Sequence, residues 1–134
     1  VGAARALAGA SRSVVTLKGA ATVVADPDGR ALVVPTGGPV LASGGTGDVL
    51  TGVVAGLLAA GLPPFEAAGL ASWWHGAAAD RVVQARVGFG LLASELADAL
   101  PATAEAIATA AGATQDGNGK GGSHGVLALR FPNA

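Results

Sequence analysis

The stretch that most constrains this chain is Gly44-Gly45-Thr46-Gly47-Asp48, followed directly by VLTGVVAGLLAAGL from Val49 to Leu62, in which every residue is apolar or small. A run of that length and composition predicts a buried helix with GGTGD at its start. The first turn of a helix carries backbone N–H groups without intrahelical acceptors, and the aligned peptide dipoles add about half a positive charge there. Glycines let an anion come close to that backbone. Asp48 then has two readings: the favourable acid of a helical first turn, or a base beside an anion site.

Composition removes several alternatives. At 134 residues the chain is long enough for one domain with a core. Eight basic and nine acidic residues leave a net charge of −1, which supplies no field for nucleic acid or an anionic membrane surface. Cysteine is absent, so disulfides and thiolate chemistry are excluded and a cytoplasmic setting is expected. The longest apolar run, Val49 to Phe65, is broken by glycines and Pro63-Pro64, and it falls short of the ~20 residues of a membrane span. Gly52 and Gly56 are expected to allow close packing against a neighbouring element. No secretory signal is visible. The chain opens on helix-like sequence at Val1 and contains no Met, which suggests a piece of something longer.

In chain order, Ala3, Ala6, Leu7 and Ala10 at helical spacing predict a short helix over 2–9. Val14 to Leu17 is β-branched and apolar and predicts a buried strand ending at Lys18-Gly19. Thr22–Ala25 and Ala31–Val34 flank Asp26-Pro27-Asp28-Gly29-Arg30 and predict a hairpin. In it the aspartates serve the turn rather than a metal. Pro35 to Pro39 predicts a loop. The apolar helix ends near Leu62, and a second starts at Pro64, with Ala67, Ala71, Trp74, Ala78 and Val82 as its apolar stripe. His75, beside that stripe, reads as a packed and hydrogen-bonded core residue rather than a catalyst. Val87–Gly90 is a break. Leu91–Leu100 and Ala102–Ala111 read as helices that Pro101 kinks or separates. Residues 112–125 read as a flexible Gly-rich linker, with Val126–Phe131 either a short strand or unstructured and Lys120 and His124 as solvated tail residues.

A strand ending in LKGAAT (Leu17–Thr22), the turn ADPDG (Ala25–Gly29), PTGGPVLASGGTGDVLTG (Pro35–Gly52), PFEAA (Pro64–Ala68), His75-Gly76 and ASELADALP (Ala93–Pro101) occur here in one order. Together they resemble the C-terminal half of a ribokinase-like domain, in particular the ADP- or ATP-dependent NAD(P)H-hydrate dehydratase family. The resemblance covers about residues 1–111, with 112–134 as a tail. It implies an α/β fold, half of a three-layer α/β/α domain with a hairpin and several helices. It also implies a lyase that repairs hydrated NADH or NADPH: a nucleotide phosphorylates the hydroxyl of the hydrated ring, and elimination of phosphate restores the cofactor. On this resemblance Lys18, Gly19, Ala20, Ala21, Thr22 and Gly47 bind the nucleotide, and Asp48 contacts the hydrate and takes the hydroxyl proton. The backbone donors of Gly45, Thr46 and Gly47 form an anion hole, and Mg²⁺ accompanies ADP or ATP although no metal-ligand cluster is evident.

One departure stands out. Where the family has Thr-Gly-Asn-Pro-Gly, this chain has Thr36-Gly37-Gly38-Pro39-Val40. Two other readings remain at this point. One is a ribokinase-like small-molecule kinase. The other is a non-catalytic fragment that binds nucleotide or forms a homo-oligomer in place of a missing N-terminal half.

Overall fold

The computed structural model describes residues 1–86 and 90–115. Helix α1 spans Gly2–Ser11, followed by strands β1 (Val15–Leu17), β2 (Thr22–Ala25) and β3 (Ala31–Val34). A 3-10 turn at Pro39–Ala42 leads to helices α2 (Thr46–Ala59), α3 (Pro64–Gln84) and α4 (Ala93–Gln115).

The three strands form an antiparallel sheet in the order β1-β2-β3. Opposite Val24 stand Thr16 on one side and Leu32 on the other, while Val15, Ala25 and Ala31 share the next row. Because side chains alternate across a strand, the rows face different layers. Val23 and Ala25 pack under Ala4 and Ala8 of α1, with Val15 and Ala31 alongside. Val24 and Val34 pack on Ala68 of α3, flanked by Val14, Leu32, Phe65 and Trp73. The result is an α/β/α sandwich in which β2 is buried on both faces. Full burial of a valine stabilises by about 1.5–3 kcal/mol, so Val24 is a principal anchor of this core.

The β2–β3 turn forms as its sequence dictates. Gly29 has φ 93°, and the Asp26 carboxylate accepts the Arg30 amide and the Arg30 guanidinium. Asp26 is 3% exposed. Burial alone would raise its pKa, but the Arg30 hydrogen bonds and charge outweigh it and hold the carboxyl below the usual value. Arg30 also pairs with Glu66 and stacks 4.4 Å from the centre of the Phe65 ring, which staples the turn to the start of α3.

Beyond the sheet, α3 is the central helix. Ala78 and Ala79 form a second core with Leu91 and Leu96, joined by Val40, Leu41, Val49, Val82, Ala99 and Leu100. Its buried positions run well beyond the expected stripe to Ala68, Gly69, Ser72, His75, Gly76 and Ala79, because the sheet, the 3-10 turn, α2 and α4 all pack on it.

Several expectations are corrected. On α1 the buried positions are Ala4 and Ala8, one helical turn apart, while Leu7 is half exposed; alanines on both faces gave the pattern no direction. Strand β1 is half-buried rather than buried, since only one of its edges is paired among the described residues. Helix α2 stops at Ala59 and buries only Thr46 and Leu50, so it is amphipathic in environment although uniformly apolar in sequence. Gly52 and Gly56 lie on its open side, where an added Cβ would meet nothing within 4 Å, and their expected packing role is absent among the described residues. Finally, α4 continues through Pro101 as one helix rather than restarting there, and the Trp74 indole donates to the Leu100 carbonyl beside it at 3.0 Å. Helix α4 also continues through Gly112 to Gln115. The predicted break at 87–89 and the tail 116–134, with Lys120, His124 and Val126–Phe131, lie outside the described residues. No helix among the described residues is long and apolar enough to cross a membrane.

Candidate active site at the start of helix α2

Gly45 caps α2 in the left-handed region, with φ 83° and ψ −15°. A side chain there would also press to 2.9 Å from the Cβ of Ala93, the first residue of α4, so the position demands glycine for two reasons. The Gly45 carbonyl accepts the amides of Asp48 and Val49 at 3.1 and 3.2 Å. The amides of Thr46 and Gly47 have no acceptor in hydrogen-bonding geometry among the described residues. They are the free donors that the sequence predicts for the first turn.

The Thr46 side chain is occupied elsewhere. It is 1% exposed, and its hydroxyl lies 2.8 Å from the Leu41 carbonyl and 2.9 Å from the Ser43 carbonyl. Its single proton is shared between them, which pins the turn onto the 3-10 segment and leaves only the backbone of Thr46 for an anion. The Thr46 carbonyl in turn faces Nε2 of His75 at 2.8 Å. His75 is 2% exposed; burial pushes its pKa below the usual imidazole value, the bond to Thr46 opposes that, and the charge of Lys18 adds to it. A packed, hydrogen-bonded histidine is what the sequence predicts there.

Lys18 comes from the β1–β2 connection. Residues 18–21 link β1 to β2, since Leu17 pairs with Val23, and all four are exposed. The Lys18 ammonium reaches to 3.8 Å from where a Cβ on Gly47 would stand. The two predicted nucleotide-binding segments, 18–22 and 47, therefore meet through a cationic side chain at the positive end of a helix. Asp48 is exposed in the first turn of α2, beside the free amides.

The loop before this turn is fixed by contacts that the sequence reading missed. The Thr36 hydroxyl donates to the Trp73 carbonyl at 2.7 Å, and the Gly37 amide donates to the Asp80 carboxylate at 2.9 Å. Gly37 has φ 83°, and a side chain on it would run into Leu41 at 2.6 Å and Gly76 at 3.1 Å. A side chain on Gly76 would overlap the Thr36 carbonyl group at 2.6 Å. His75-Gly76 thus serves two loops at once, through a histidine donor and a missing side chain. The only available signal was the adjacency of His75 and Gly76, and their partners lie far off in sequence. No cluster of three His, Cys, Asp or Glu side chains exists among the described residues. Mg²⁺ brought by a nucleotide would rely on phosphate oxygens and water for most of its ligands.

Comparison with known proteins identifies the family. A sequence profile described as NAD(P)H-hydrate dehydratase matches residues 1–102. A bifunctional NAD(P)H-hydrate repair enzyme of Moorella thermoacetica is 48% identical over 90 residues, covering 67% of this chain and 17% of the relative. An ADP-dependent (S)-NAD(P)H-hydrate dehydratase of Neisseria meningitidis serogroup B is 50% identical over 86 residues, covering 63% and 29%. Among solved structures, the Bacillus subtilis ADP/ATP-dependent NAD(P)H-hydrate dehydratase co-crystallised with ATP and Mg²⁺ superposes with a TM-score of 0.74 at 40% identity, covering 78% of this chain and 38% of that one. The chain thus spans well under half the length of these relatives, and its layers are part of a ribokinase-like α/β fold. With the profile matched over most of its length, the chain belongs to the NAD(P)H-hydrate dehydratase family.

Proposed function

We propose that this chain contributes the nucleotide and proton-transfer side of an active site that restores NAD(P)H from its hydrate with ADP or ATP. The observation that carries this reading is the approach of Lys18 to Gly47, which sets a cation beside the two free amides at the start of α2. Residues 18–22 hold the nucleotide, and the Gly45, Thr46 and Gly47 backbone faces the phosphoryl group in transfer. Donors of this kind are worth about 10²–10³ in rate each.

The hydroxyl oxygen of the hydrate attacks the terminal phosphorus. The Asp48 carboxylate takes the hydroxyl proton, and the nucleotide leaves one phosphate shorter. Elimination then breaks the C–O bond to phosphate, releases a ring proton and forms the double bond of the reduced nicotinamide. Mg²⁺, when bound, neutralises phosphate charge. A substrate of this kind fits a cytoplasmic setting. The open face of α2 fits a surface that the remaining length of a relative's domain would cover, and sedimentation would distinguish that from a second copy of this chain.

The test is regeneration of NADH absorbance from NADH hydrate with ADP or ATP and Mg²⁺, using the chain alone and supplemented with a polypeptide supplying the remainder of the domain. Asp48→Ala should lower the rate by about 10²–10⁴, the range for loss of a general base. Failure of every combination, together with no effect of the substitution, overturns the reading. Accumulation of a phosphorylated product would instead identify a small-molecule kinase.

A further inference from the structure

His75 is not a spectator of this site. Its Nε2 contacts the carbonyl of Thr46, and that carbonyl belongs to the same peptide unit as the Gly47 amide. A trans peptide is planar, with its C=O and N–H pointing in opposite directions. Fixing the Thr46 oxygen from the core side therefore fixes the direction of the Gly47 N–H on the other side. That N–H has no acceptor in hydrogen-bonding geometry among the described residues, and the Lys18 ammonium stands 3.8 Å from where a Cβ on the same residue would be.

We propose that His75 is a positioning residue that acts through the Thr46–Gly47 peptide, orienting and polarising the Gly47 amide for the phosphoryl group of a nucleoside diphosphate or triphosphate. This deepens the function proposed above and rests on it for the identity of the anion. A carbonyl oxygen can only accept, so Nε2 must carry the proton. Burial disfavours a second proton on the ring, which leaves Nδ1 bare. A hydrogen bond donated to a carbonyl strengthens the N–H of the same amide, by about 10–30% per bond. Two further contacts hold the peptide in place: the shared Thr46 hydroxyl bond to Leu41 and Ser43, and the fit of Gly45 against Ala93. Neither sets the rotation of the 46–47 peptide, because each acts on the Thr46 side chain or on the residue before it. The Leu50 amide one turn on is the helical donor to the Thr46 carbonyl, and His75 is the side chain that reaches the same oxygen from the core.

The test uses the full chain, isotopically labelled, with ADP as probe. In the wild-type chain the ring nitrogens should show the tautomer with Nε2 protonated and Nδ1 unprotonated; the opposite tautomer overturns the proposal. His75→Leu removes the donor and His75→Gln keeps one. The Leu variant should shift the Gly47 amide resonance and weaken ADP about tenfold, the loss of roughly one hydrogen bond, while the Gln variant stays within about threefold of wild type. Equal ADP affinity in all three folded proteins, or an equal loss in both variants, overturns it. If the wild-type chain binds neither ADP nor ATP, the nucleotide reading fails by itself. The tautomer and the Gly47 resonance then decide the role of His75: an unchanged resonance in the Leu variant overturns it, as does a Leu variant that unfolds while the wild-type ring shows protonated Nδ1.

Discussion

The Asp80 carboxylate accepts the Gly37 amide at 2.9 Å, and this bond ties the C-terminal half of α3 to the loop that leads into GGTGD. Four residues earlier on the same helix, Gly76 lets the Thr36 backbone lie directly against it. The loop is thus seated on α3 by one donated hydrogen bond and one absent side chain.

Removing either should cost stability. Asp80→Ala leaves the Gly37 amide without its acceptor, for an expected loss of about 1–3 kcal/mol. Gly37→Ala adds strain at positive φ to a clash with Leu41, for about 1–3 kcal/mol. Denaturant unfolding of the two single variants and the double variant should show less than additive losses, because both act on one loop. Full additivity would separate them.

The open side of α2 makes the opposite prediction. Gly56 is in mid-helix with nothing within 4 Å of an added Cβ. Gly56→Ala in this chain should therefore raise stability by about 0.5–1 kcal/mol, read from the unfolding midpoint. A loss would mean that a surface already covers this side.

Pro101 offers a second stabilising change. It is exposed and lies inside α4, where it leaves a carbonyl one turn back without its helical donor. Pro101→Ala should stabilise the chain by about 1–3 kcal/mol, with a gain in helical signal on heating.

The pH dependence follows from His75. The unfolded chain takes up a proton at the ordinary imidazole value of 6.5, whereas burial holds the folded ring neutral to lower pH. Below 6.5 the unfolded state binds more protons, so stability falls as pH drops through that window and is complete above it. Asp26 and Glu95, both held below their usual values by arginine partners, add a second loss at lower pH as their carboxylates are protonated. Unfolding free energy measured against pH in the wild type and His75→Gln should differ by the first step and share the second.

These contacts show what the sequence made legible. The hairpin was readable because Asp26, Gly29 and Arg30 act on one another within a few residues. The start of α2 was readable because glycines and an acid abut an apolar run. What escaped depends on distant partners: Gly37 with Asp80, Thr36 with Gly76, Trp74 with Leu100. Pro101 left a kink or a break open because propensity speaks of an isolated helix; the break is excluded because tertiary contacts carry α4 past it as one helix. Ala4 and Ala8 were missed because alanine does not mark which face of a helix is buried.

In the function proposed above, residues 18–22 and the start of α2 form one nucleotide site. Its most direct test is an ADP titration followed residue by residue in the backbone amide spectrum. Saturable shifts are expected at residues 18–22 and at Thr46 and Gly47 together, with one affinity, weakened when Lys18 is replaced by Ala. Saturating ADP that leaves the Gly47 amide unmoved, or that shifts the two segments with unrelated affinities, would contradict it.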